Sequence, residues 1–116
     1  MTDTPRHIDL EDAMADYTAK LAEAGRRFHP SWGVTGYKAF ETRDGVAFSC
    51  TLTANGGAVA DVEQGGHGGP TDLYWTTAAR ADGTMDRFLA EAASVFPDDQ
   101  ESDATAVEAL LMKAGL

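Results

Sequence analysis

Residues 45–64, GVAFSCTLTANGGAVADVEQ, decide the fold. Val46, Phe48, Cys50, Leu52 and Ala54 alternate with Ala47, Ser49, Thr51 and Thr53, the period-two pattern of a half-buried strand. Asn55-Gly56-Gly57 follows, a dense hairpin signal. The register of the return strand follows from burial. A two-residue Asn-Gly turn would pair Leu52 with Val59 and Cys50 with Asp61, setting a carboxylate on the apolar face. A three-residue loop pairs Ala54 with Ala58, Leu52 with Ala60 and Cys50 with Val62. A slip of one residue turns every side chain to the other face, so burial selects the second register. Phe48, Cys50, Leu52, Ala60 and Val62 are then expected inside. Thr51, Thr53, Val59, Asp61 and Glu63 are expected outside.

Working outward, Val34 to Thr42 is a weakly patterned strand joined to the hairpin through Asp44-Gly45. Thr71 to Thr76 reads as a fourth strand, with Leu73 and Trp75 on one face and Tyr74 on the other. Leu10, Met14, Tyr17, Leu21, Ala24 and Phe28 step along one side of a first helix. Asp9 is its expected N-cap and Pro30 its stop, with Gly25 as an alternative earlier end; the sheet is its expected partner, with a seam against a partner helix as the alternative. Thr84 is the expected cap of a second helix that turns Met85, Phe88, Leu89, Ala92, Val95 and Phe96 inward and ends at Pro97. After the acidic PDDQESD linker, Ser102 or Asp103 opens a last helix with Val107, Leu110, Leu111 and Ala114 inward. The order α-β-β-β-β-α-α describes a single α+β domain over residues 1–116: a four-stranded, mainly antiparallel sheet with helices on one face.

Composition narrows the function classes. The chain is 43% hydrophobic and 24% charged, as in ordinary globular proteins. No apolar run reaches the roughly 18 residues of a membrane span, and Met1 to Asp9 has no apolar core of a secretory signal. Cys50 is the only cysteine, so no intrachain disulfide forms. A cytoplasmic location is expected. The net charge of −10 is concentrated towards the end, where residues 84–116 hold seven acids against two bases. Such a field repels nucleic acid and anionic membranes, and only Arg26-Arg27 approaches a basic patch.

EQGGHGGPTD, residues 63–72, is the second informative stretch. Successive glycine amides at Gly65, Gly66, Gly68 and Gly69 can form an anion-binding concavity, with Trp75 available to stack a base. The stretch lacks a Lys-Ser/Thr pair and is followed by a strand pattern instead of a helix, and Asp61, Glu63 and Asp72 flank it. The plainer reading is a wide connection between two strands. His67 is a general base if a neighbouring carboxylate orients it, and otherwise an exposed loop residue. The three histidines lie on separate segments with no metal-ligand spacing, and Cys50 faces the core, so neither a metal site nor a cysteine nucleophile is expected.

Phe48, Leu52, Gly56, Val59-Ala60, Val62, Gly66, Gly68, Gly69, Tyr74 and Trp75 fall into a further pattern: a strand with a central Phe, a small-residue turn, a Val-Ala-x-Val strand, a glycine loop and an aromatic strand. It resembles a family of small, mostly uncharacterised proteins of phages and other mobile elements. Gln64 stands where that pattern has Asn. The resemblance covers less than a third of the chain. It implies a genomic setting and no particular reaction.

The expectation is therefore an acidic, non-enzymatic binding protein without cofactor. It would engage a host or defence protein of basic surface, as an inhibitor, an anti-CRISPR-like protein or a nucleic-acid mimic, in a counter-defence role. Asp98, Asp99, Glu101, Asp103 and Glu108 are the acids expected to meet that partner. One alternative is a binder, or sponge, of a small nucleotide signal through Gly65, Gly66, His67, Gly68, Gly69 and Trp75. Another is a structural accessory domain of a mobile-element operon. A homodimer through an exposed strand edge is compatible with each of them.

Overall fold

The computed structural model describes residues 10–67 and 69–116, so the cap expected at Asp9, Gly68 and the side chains of residues 10–12 lie outside the described residues. The chain runs α1 (Leu10–Gly25), β1 (Trp32–Thr42), β2 (Gly45–Ala54), β3 (Gly57–Gln64), β4 (Asp72–Trp75), α2 (Thr77–Ala81), α3 (Thr84–Val95) and α4 (Ser102–Lys113). The four strands pair in sequence order, each antiparallel to the next. This is the expected α+β architecture, with one addition. The short helix α2 follows β4 directly, its first turn capped by the Thr76 hydroxyl, which accepts from Ala79 N–H at 3.1 Å.

The central hairpin has the expected inner pairs by a different route. Leu52 opposes Ala60 and Cys50 opposes Val62, but Ala54 opposes Gly57 and Thr53 opposes Ala58. The loop is thus the two-residue Asn55-Gly56 turn, with φ of 53° and 82° as a type I′ turn requires. Val59 is the extra residue of a bulge that restores the register beyond it. The expected Ala54–Ala58 pair is corrected; burial of Leu52, Cys50, Ala60 and Val62 still decides the outcome. Asp61 is outside, as expected, whereas Thr53 is buried at 7% exposure.

A second bulge lies between Thr35 and Lys38 of β1, where Gly36 has a φ of 65°. Val34 opposes Leu52 on the helix-covered face, yet Phe40 opposes Ala47, whose side chain leaves the other face. In an unbroken strand, Val34 and Phe40 would share a face. The bulge turns Phe40 away from the helices.

Phe88 of α3 is the centre of the core. Phe28, Trp32 and Trp75 surround its ring at centroid distances of 6.1, 4.9 and 5.7 Å. Together with Phe88, the largest fully buried side chains are Leu52 and Val62 from the sheet and Val107 from α4. The Trp32 indole N–H donates to Glu91 Oε1 at 3.0 Å, so this buried donor keeps a partner. α1 packs on α4 through Leu21, Ala24 and Ala109, not on the sheet as its apolar stripe led one to expect. Met14 and Tyr17, earlier on that stripe, remain 67% and 57% exposed. A helical stripe states which side is apolar, not what covers it.

Both expected caps of the later helices are also corrected. Gly83 holds the N-cap position of α3, and Asp82 Oδ1 accepts from Thr84 N–H at 2.9 Å, while Thr84 itself is buried. The hydrogen bonds from Thr84 hold the Asp82 carboxyl below its ordinary pKa. For α4, neither Ser102 nor Asp103 caps the helix. Asp99 reaches forward instead, Oδ1 accepting from Glu101 N–H at 2.8 Å and Oδ2 from the Thr105 hydroxyl.

Candidate functional site

The glycine loop closes on itself through Gln64, at the end of β3. The Gln64 carboxamide oxygen accepts from Gly66 N–H at 3.0 Å; its Nε2 donates to Gly69 C=O at 3.2 Å and to Thr71 Oγ1 at 3.0 Å. The loop also rests on the turn between β1 and β2. The Thr42 hydroxyl donates to Gly45 C=O at 2.8 Å, lies 3.3 Å from Gly66 C=O, and accepts from Asp44 N–H. His67 Nδ1 lies 3.4 Å from Asp44 Oδ2, with both side chains largely exposed. Gly66 is buried, at a φ of 79°. Its amide, which a phosphate cradle would turn outward, is spent on Gln64.

Trp75 is not beside this loop. It opposes Ala60 in the ladder and packs against Phe88 on the helix-covered face, whereas the loop leaves the sheet beyond the Glu63–Asp72 pair. Strand parity puts the tryptophan with the core, so Trp75 and the loop glycines do not form one site. Of the described loop glycines, Gly66 holds a positive φ.

The five acids of the last segment play unequal parts. Asp98 and Glu101 are exposed, while Asp99, Asp103 and Glu108 are half-buried. Asp99 ties down the start of α4, and Asp103 Oδ1 accepts from Ala104 N–H at 2.8 Å. Glu108 borders a depression next to the loop residues Gly66 and Gly69. Burial, and then the nearby Asp99 charge, pushes its carboxyl above the usual range. Tyr17 of α1 belongs to the same group: its hydroxyl is raised by burial, then by Glu108 and Asp99.

The sheet face opposite the helices was not among the sequence-based site candidates. Lys38 and Phe40 of β1, Ser49 of β2, Asp61 and Glu63 of β3, and Asp72 and Tyr74 of β4 are exposed on it. Phe40 and Tyr74 are 65% and 53% exposed. The Tyr74 hydroxyl is raised above its ordinary pKa, first by the Asp72 charge, then by desolvation and by the Glu63 charge. At the end of the face nearest the glycine loop lies a cleft of about 410 Å³ between Phe40, Ala47, Glu63, Gly65 and His67. Strand alternation already sets Asp61 and Glu63 outside and Tyr74 on the face opposite Trp75; the bulge that exposes Phe40 has only Gly36 as its signal.

Other chemistry is sparse. Burial pushes the Cys50 thiol up to about 11, which leaves it protonated and a poor nucleophile. His29 Nδ1 lies 2.8 Å from Ser31 Oγ but also accepts from Ser31 N–H at 3.0 Å, an arrangement that fixes the turn into β1. Among the described residues, no group of three or more His, Cys, Asp or Glu side chains is placed to hold a metal ion, and no helix is long and apolar enough to cross a membrane. Comparison with family models, curated proteins and solved structures gives no match to this chain.

Proposed function

We propose that the chain is an acidic, non-enzymatic protein that binds a host or defence protein of basic surface, and that the uncovered sheet face is its binding surface. The observation that carries this reading is the placement of Phe40 and Tyr74, 65% and 53% exposed, among Asp61, Glu63 and Asp72 on one face. Isolated exposed apolar residues are ordinary in soluble proteins. Two aromatic rings presented by a rigid sheet amid carboxylates have the composition of an interface, with aromatic anchors for affinity and charge for steering. The net charge of −10 attracts a basic partner and speeds encounter with it. Asp98 and Glu101 add to that long-range field from the segment between α3 and α4. The resemblance to phage and mobile-element proteins supports a counter-defence setting for the partner.

The test compares capture by the wild-type chain with capture by an open-face variant, Asp61→Lys, Asp72→Lys and Tyr74→Ala. Asp98→Lys with Glu101→Lys is the control for charge at a distance. All five positions are exposed, so circular dichroism is expected to show an intact fold. The expected result is a basic protein held by the wild type at about 0.1 M salt, released at about 0.5 M, and not held by the open-face variant. Capture that survives both the salt and the open-face substitutions overturns the proposal.

A further inference from the structure

We infer that the cleft at the glycine-loop end of the open face receives the guanidinium group of an arginine side chain. This rests on the reading of that face as a protein-binding surface, and it names the partner group that enters there. The cleft is made by size and parity. Phe40 projects from the edge strand next to Ala47, which is only 4% exposed, and the chain continues from Glu63 and Gln64 into Gly65. The small residues Ala47 and Gly65 line it together with Phe40, His67, Glu63 and Ser49. The His67 ring is held towards Asp44 at 3.4 Å, which keeps it at the side of the cleft.

The chemistry of this lining selects a planar cation. Glu63 makes no ion pair among the described residues, so its carboxylate is free to accept the forked N–H groups of a guanidinium. The Phe40 ring offers a face on which the same flat cation stacks. A carboxylate or phosphate entering the cleft would be repelled by Glu63. A purely apolar side chain would strip water from that carboxylate and give nothing back. A lysine ammonium supplies charge but neither the fork nor the flat face. The cleft offers a volume of about 410 Å³ for that side chain.

The experiment is a titration of the full chain, followed by backbone amide NMR, with Nα-acetyl-arginine amide and with its lysine and citrulline counterparts. Citrulline has the shape of arginine without its charge. The expected result is that the arginine probe shifts Ala47, Ser49, Glu63 and Gly65, and that both counterparts bind roughly fivefold more weakly or worse. Glu63→Gln and Phe40→Ala, both exposed positions, are each expected to weaken the arginine probe by a similar factor. Shifts of equal size with citrulline or lysine, variants that bind like wild type, or no response up to about 50 mM probe overturn the inference. Its failure is separable from failure of the open-face reading. A basic protein captured through Asp61, Asp72 and Tyr74, with no response to the arginine probe, sinks the cleft alone. A specific arginine response without any such capture upholds the cleft and sinks the broader reading.

Discussion

Gly66 lies against the backbone of Ala47: a Cβ on Gly66 would stand 2.9 Å from the Ala47 nitrogen, and the residue holds a φ of 79°. Both constraints exclude an ordinary side chain, one by close approach and the other by conformation. Gly66→Ala is therefore expected to cost about 1–3 kcal/mol, measured as a lowered denaturation midpoint. Gly69 has nothing within 4 Å of a built Cβ and no positive φ, so Gly69→Ala is expected to melt like the wild type. Equal losses at the two positions would show that the loop is strained as a whole and not pinned at Gly66.

The contrast shows which parts of this fold are legible in its sequence. The inner face of the β2–β3 hairpin is legible, because alternation is local and burial permits only one pairing of Leu52 and Cys50. The loop that achieves the pairing is not. A three-residue turn and a two-residue turn followed by a bulge lead to the same register at Ala60 and Val62. The bulge at Gly36 is hidden likewise, and with it the exposure of Phe40 and the cleft. Trp75 shares its parity with Leu73, so its burial could be read; its distance from the loop depends on how the chain leaves the sheet. Asp99 is missed as a cap because it acts from outside the helix it serves.

Asp99 provides the second prediction. Its two oxygens take the Glu101 N–H and the Thr105 hydroxyl, the work of a capping side chain. Asp99→Ala is expected to destabilise the protein by about 1 kcal/mol. Asp98→Ala, at an exposed neighbour without such a role, is expected to change stability little. Thermal melts of the two variants side by side decide the matter, and a silent Asp99→Ala would remove the cap from the account of α4.

Glu91 joins α3 to the start of β1. It accepts from the His29 backbone N–H at 2.6 Å and from the Trp32 indole at 3.0 Å. Trp32 is 4% exposed, so its N–H finds little water if the carboxylate is removed. Glu91→Ala is expected to cost about 1–3 kcal/mol, with a change in tryptophan fluorescence as the indole loses its acceptor. Glu91→Gln keeps one acceptor oxygen but sets its NH2 against the other donor, so it is expected to recover only part of the loss. If Gln is as stable as wild type, neither of the two hydrogen bonds matters to stability.

Glu108 supplies the pH dependence. Its carboxyl is raised above 4.5 by burial and then by the Asp99 charge, so the folded chain retains a proton that the unfolded chain has already released. Where the folded state binds more protons, stability falls as pH rises. The loss from this group begins near the unfolded value and is complete above the folded one. Glu108→Gln removes the charged form altogether. It is expected to be more stable than wild type at neutral pH, with the difference shrinking as the pH is lowered through the folded pKa. The substitution also takes one of the negative charges from beside Tyr17, whose hydroxyl is raised in part by Glu108. Absorbance titration of the variant is therefore expected to show tyrosine ionising at lower pH than in wild type. A variant with unchanged stability at neutral pH and an unchanged tyrosine titration would mean that Glu108 is fully hydrated beside the loop.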